Sequence, residues 1–184
     1  MANEILRQPI YDTQSISAGS VSAGTTYKFF AVPLGQSSKT LLDTNLTTAG
    51  QLPYANATVV GLRVHAYTRG TSAITVGDYN QLLNNCTLTF KKEDRVILEC
   101  PLYMIPSGIG LTGAVSTNDS TTTILSAISN GMAVKTNYFD LLQPEPFESR
   151  DRLQFDVDVK ATWTASANIY VVVILEAQIG KIYR

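Results

Sequence analysis

The sequence predicts an all-β chain of about eight strands with one short helix and long loops. Three observations carry that expectation. Ser and Thr occupy 35 of the 184 positions, and Thr, Val, Ile and Tyr suit a pleated, half-buried surface. Several segments alternate apolar and polar residues with period 2, the signature of a strand with one face on a core. Long connections rich in Gly, Pro, Ser, Thr and Asn separate them, at residues 35–56 and 105–130. Connections of that length in a compact domain usually carry contacts.

Taken in chain order, residues 10–17 and 26–34 are the first strand candidates. From Val60 the pattern sharpens: Val60, Leu62, Val64 and Ala66 fall on one side, and Arg63, His65, Tyr67 and Arg69 on the other. A helix is expected over 78–84, with Asp78 as its N-cap ahead of Tyr79, Leu82 and Leu83. Two alternating runs then flank Lys92-Glu93-Asp94, which predicts a hairpin. A turn centred on Glu93 sets Phe90 opposite Val96, Leu88 opposite Leu98, and Cys86 opposite Cys100. Residues 134–142 form a weaker strand candidate. Leu153, Phe155, Val157 and Val159 alternate with Gln154, Asp156, Asp158 and Lys160, the cleanest period-2 segment in the chain. Residues 169–175 are continuously apolar, as in a central strand covered on both faces or facing an interface. Uneven strand spacing with long crossovers suits a Greek-key sandwich or a single jelly roll better than an up-and-down barrel. No repeat and no shift in composition divides residues 1–184, which are expected to form one domain with short terminal arms at about 1–9 and 178–184.

Composition excludes several function classes. A net charge of −1 and a pI near 5.8 lack the basic excess of a protein that binds nucleic acid directly. The 45% hydrophobic content excludes a disordered chain, and no apolar run reaches the roughly 18 residues of a membrane-spanning helix. Met1-Ala2-Asn3-Glu4 has neither the basic start nor the apolar stretch of a secretory signal, so an intracellular product or a mature form is expected.

Chemistry is weakly signalled, and neither a catalytic residue, a metal nor a cofactor is expected. His65 is the single imidazole, and no nucleophile motif accompanies it. Asp156 and Asp158 share a strand face, which the need for soluble strand edges accounts for better than a glycosidase pair does. Cys86 and Cys100 would sit within disulfide reach in the expected hairpin, or remain two buried thiols in a reducing compartment. Asn45-Leu46-Thr47 is one of four glycosylation-type triplets in a chain rich in Asn and Thr, where chance supplies them. Gly108, Gly110 and Gly113 are too loosely spaced for a phosphate loop. Residues 106–114 are therefore expected to be a mobile loop, and its apolar members Ile109, Leu111, Ala114 and Val115, odd for a solvent-facing loop, suggest an assembly contact. Trp163, Tyr54, Tyr67 and Tyr103 would serve a sugar-stacking platform if they converged, which keeps a lectin-like alternative in view. A hydrolase is a third, weaker alternative.

The order of these segments resembles a family. Phe29-Phe30-Ala31-Val32-Pro33-Leu34-Gly35, Thr44-Asn45-Leu46, the short helix, the charged hairpin and Arg150-Asp151-Arg152-Leu153-Gln154-Phe155 follow one another as in viral single jelly-roll capsid proteins. The likeness is to the small coat proteins of tailless icosahedral viruses, including those with an internal membrane. It implies a structural, non-enzymatic coat subunit that assembles with its own copies into capsomers of the virion in the host cytoplasm, alone or with a second capsid protein. Candidate contacts are Ile109, Leu111, Val115, Lys181 and Arg184. The last two could also face an anionic internal membrane, where two cations are worth only about 2 kcal/mol together. The chain departs from the genome-binding pattern in lacking a strongly basic N-terminal arm, and from double-barrel coats in having one barrel.

Overall fold

Two four-stranded antiparallel sheets account for the eight strands expected from the sequence. The structure is a computed structural model that describes residues 3–54, 56–69, 74–107, 111–119, 122–129 and 138–182, with side chains described for 5–54, 56–69, 74–107 and 138–179. The first sheet runs in the order β1 (Asn3–Ile16), β12 (Ile169–Ile182), β4 (Ala57–Tyr67), β9 (Phe139–Phe147). The second runs β3 (Thr26–Phe29), β10 (Leu153–Val159), β5 (Cys86–Lys92), β6 (Arg95–Pro101). The antiparallel pairs are nested: β5 with β6, β4 with β9, β3 with β10, and β1 with β12. One long folded hairpin rolled into two layers makes this pattern, and it is the jelly roll. The short pair β2 (Gly19–Val21) and β11 (Trp163–Ala165) continues the β1–β12 ladder round the corner toward β3–β10.

The alternation read from the sequence becomes the core. Leu62, Val64 and Ala66 of β4 and Val171, Val173 and Leu175 of β12 face inward against Leu88 and Phe90 of β5 and Phe155 and Val157 of β10. Phe155 anchors an aromatic cluster, with ring centroids 6.0 Å from Phe29, 6.2 Å from Phe30 and 5.8 Å from Phe90. The apolar run at 169–175 is a central strand, as its composition implied. Its outward residues Tyr170, Val172 and Ile174 are half-buried.

Several local expectations are corrected. Helix α1 (Val76–Asn85) begins two residues before the expected start, because Thr75, not Asp78, is its N-cap. The Thr75 hydroxyl accepts the Asp78 N–H at 3.1 Å. This releases the buried Asp78 carboxylate to accept from the Ser166 N–H (2.9 Å) and hydroxyl, tying the helix to the chain beyond β11. In the β5–β6 hairpin Leu88 pairs with Cys100 and Phe90 with Leu98. The turn is the two-residue Glu93-Asp94, with Glu93 at φ 51°, and a bulge interrupts the ladder between Phe90 and Lys91. Cys86 therefore does not face Cys100; it lies beside Val159, and both cysteines are free and buried. Residues 26–34 yield only the four-residue β3, since the chain turns away at Phe30 with φ 59°. The expected loop over 105–130 holds β7 (Leu111–Asp119) and β8 (Thr122–Ser129), an antiparallel pair whose Thr and Ile content outweighs its loop-like Gly and Ser. Within the stretches expected as terminal arms, the described residues Asn3–Pro9 pair as strand with residues 176–182.

Candidate functional site

The connection between β3 and β4 is held by buried polar groups and carries leucines into the open. Its anchor is Asp12, fully buried although it shares the inward parity of Ile10 and Ile16 on β1. One carboxylate oxygen accepts the Phe30 N–H at 2.7 Å, and the other accepts the Lys39 ammonium, which also donates to the Thr13 carbonyl at 2.9 Å. Burial pushes the Asp12 carboxyl above the usual range, against the pull of Lys39 and the Phe30 N–H. Removing one partner of a buried pair of this kind costs about 3–5 kcal/mol, because the other charge is left stranded.

The same connection covers the edge of β1. Asn45 accepts the Tyr11 N–H at 3.0 Å and donates its amide to the Pro9 carbonyl at 2.9 Å, while the buried Thr44 hydroxyl donates to the Tyr11 carbonyl at 3.1 Å. The Asn45 amide nitrogen is thus committed to the strand edge, which gives the triplet seen in the sequence a structural role. Asp43 accepts the Thr40 N–H at 2.9 Å and pairs with Arg69, whose guanidinium lies 4.3 Å from the centre of the Tyr170 ring. Burial works to raise the Asp43 pKa, but the Thr40 N–H and Arg69 outweigh it and hold the carboxyl low. Between these braces Leu34, Leu41 and Leu42 remain exposed, Leu42 at 81%.

Other apolar side chains stand in solvent. They are Leu142 on β9, Val96 on β6, Ile5 on β1, and Tyr103 and Met104 on the 3-10 turn Leu102–Met104. Of the contacts expected from the sequence, Leu111 and Val115 lie on β7 opposite Ser129 and Ser126, and Lys181 lies on β12 opposite Glu4. Ile109 and Arg184 fall outside the described residues, as do residues 134–137 of the strand expected over 134–142. Sequence reasoning singled out the 35–56 connection but missed Leu41 and Leu42 within it. The available signal was an apolar pair amid polar neighbours.

The outward face of the first sheet carries a stack of rings. His65 lies parallel to Tyr67 with centroids 5.7 Å apart, Tyr67 meets Tyr170 at 5.7 Å, and Arg69 caps Tyr170. Arg63 pairs with the buried Glu176 beside it. His65 is less solvated than its place on the polar face of β4 suggested. Its Nδ1 is buried without a partner, and burial lowers its pKa to about 4. Burial likewise pushes the Cys86 thiol up to about 12 and raises that of Cys100.

Two further sequence readings change. β10 is a central strand, so Asp156 is buried and only partly satisfied where an exposed edge was expected. Trp163 is 5% exposed and packed in the core, so it cannot serve as a stacking platform. Among the described residues no group of three or more His, Cys, Asp and Glu is placed to hold a metal ion. Compared with protein-family models, curated proteins and solved structures, the chain finds no match.

Proposed function

We propose that the chain is a structural, self-assembling subunit of the single jelly-roll capsid type, whose copies join into capsomers of an icosahedral virion. The observation that carries this reading is the braced β3–β4 connection. A buried carboxylate, a buried threonine and an asparagine clamp fix a loop whose most prominent residues are exposed leucines. Ordering such a loop has an entropic cost, and exposed apolar groups on a rigid support favour docking. A rigid two-layer framework suits the role, since symmetry repeats each modest contact across a closed shell. Its partners in this reading are copies of itself, with charge playing a small part.

The test is the mass of the purified chain by light scattering over a concentration series, with negative-stain microscopy of the same samples. Regular particles or discrete oligomers are expected. A chain that stays monomeric at the highest soluble concentration overturns the proposal.

A further inference from the structure

We infer that the cleft at the open end of the β3–β10 ladder is a binding site for a neutral sugar ring. The cleft exists because β3 stops pairing at Phe29, the chain turns away at Phe30, and β10 continues past it to Leu153. Gly50 spans the gap by accepting the Leu153 N–H and donating to the Phe30 carbonyl. What is left is a hollow of about 330 Å³, bounded on the far side by the Glu93-Asp94 turn. That volume lies at the small end of the range for small-molecule sites and suits one ring.

Asp156 lines the hollow, is 8% exposed, and has one carboxylate oxygen, Oδ1, without any hydrogen-bond partner. Its other oxygen accepts the Gln154 amide. A buried carboxylate oxygen left unpaired is costly, and a donor entering the cleft relieves that cost. That oxygen has no exposed surface of its own, so a ligand reaches it by displacing side chains around it; those of Gln154 and of Lys28, its neighbour across the ladder, are both exposed.

The charges around the hollow select the ligand class. Lys28 and Arg152 line it, and among the described residues neither side chain has a partner. Glu93 and Asp94 line it as well. An anion entering there meets three carboxylates, and a cation meets an ammonium and a guanidinium. A hydroxyl both donates and accepts, so a polyol satisfies interleaved donors and acceptors of both signs. Adjacent hydroxyls can divide between Asp156 Oδ1 and the Gln154 side-chain carbonyl, and Ala31 and Ala49 offer a small apolar wall to the C–H face of the ring.

The test is ¹⁵N–¹H NMR titration of the full chain with a panel of neutral hexoses and hexose disaccharides, alongside an acidic sugar and a lysine ester as charged probes. Saturable binding of a neutral member is expected, with a dissociation constant on the order of 1 mM and shifts centred on Gly50, Asp94 and Gln154. Asp156→Asn is expected to weaken it about tenfold or more, as for loss of a hydrogen bond to a charged group. Because Asp156 is buried, Gln154→Ala, at an exposed side chain, serves as a second variant with the same expected direction. The inference is overturned if no neutral sugar binds, if only a charged probe binds, or if binding survives within twofold in every variant that folds. The result is separate from assembly: a monomeric chain that binds the sugar sinks the coat proposal and keeps the site.

Discussion

At the scale of single residues, the groups that look most reactive in the sequence are the ones the fold withdraws from solvent. His65 shows the consequence for stability. In the unfolded chain its imidazole takes up a proton below about 6.5, whereas in the fold burial holds it neutral down to about 4. Between those values the unfolded state binds the extra proton. The stability His65 contributes is therefore present above pH 6.5 and is lost as the pH falls toward 4, by roughly 3 kcal/mol over the whole interval. Urea denaturation at a series of pH values should show that decline, and His65→Phe, which keeps a ring against Tyr67 but cannot titrate, should flatten it. An unchanged slope in the variant would assign the decline to other groups. Asp43 and Asp151 are held low, Asp151 chiefly by the Lys92 ammonium. What they contribute is present above their ordinary pKa near 3.8 and is lost only below it, so the two windows can be separated.

At the scale of elements, β4 depends on one glycine. A bulge at Val60 interrupts both ladders of this strand, with β12 between Gly61 and Val59 and with β9 at the same place. A Cβ on Gly61 would run into the Tyr138 ring and come within 2.5 Å of the Phe139 carbonyl oxygen. Gly61→Ala should accordingly destabilise the chain by about 1–3 kcal/mol, as overpacking does, read as a lowered denaturation midpoint; a midpoint equal to the parent's would show that β9 yields freely. The four edges of the two four-stranded sheets are each blunted. Asn45 and Thr44 cover β1, β3 is four residues long, β6 carries a bulge and ends at Pro101, and β9 contains Pro144 and Pro146. Much of this level was legible in the sequence. The Leu153–Val159 alternation and the apolar run at 169–175 identify β10 and β12 as strands outright, because side-chain period is local. The hairpin register was not legible: a two-residue turn and a bulge each move it, and neither alters the hydrophobic pattern enough to show. Helix α1 hid its start because Thr75 and Asp78 are both good caps. The setting of Asp156 was invisible for a different reason, since whether a strand is central or at an edge depends on segments far away in the chain.

At the scale of the whole molecule, if copies join as proposed, edges protected from pairing leave loops and faces as the means. With a net charge of −1, long-range attraction contributes little, and several of the strongest cations, Lys39, Arg63 and Arg69, are already paired within the chain. The exposed leucines therefore carry the test of assembly. Burying one leucine side chain is worth about 1.5–3 kcal/mol, so replacing Leu41 and Leu42 together with aspartate should remove roughly 3 kcal/mol or more from each contact they make, about a hundredfold in pairwise association. Both side chains are more than half exposed, so the double variant should keep the parent's circular dichroism and its denaturation midpoint. Its light-scattering mass should fall toward that of one chain. Because the contacts are apolar, raising the ionic strength should leave the parent's assembly intact or strengthen it. A double variant that assembles as the parent does, or a parent that dissociates in salt, would place the contacts elsewhere and make them electrostatic.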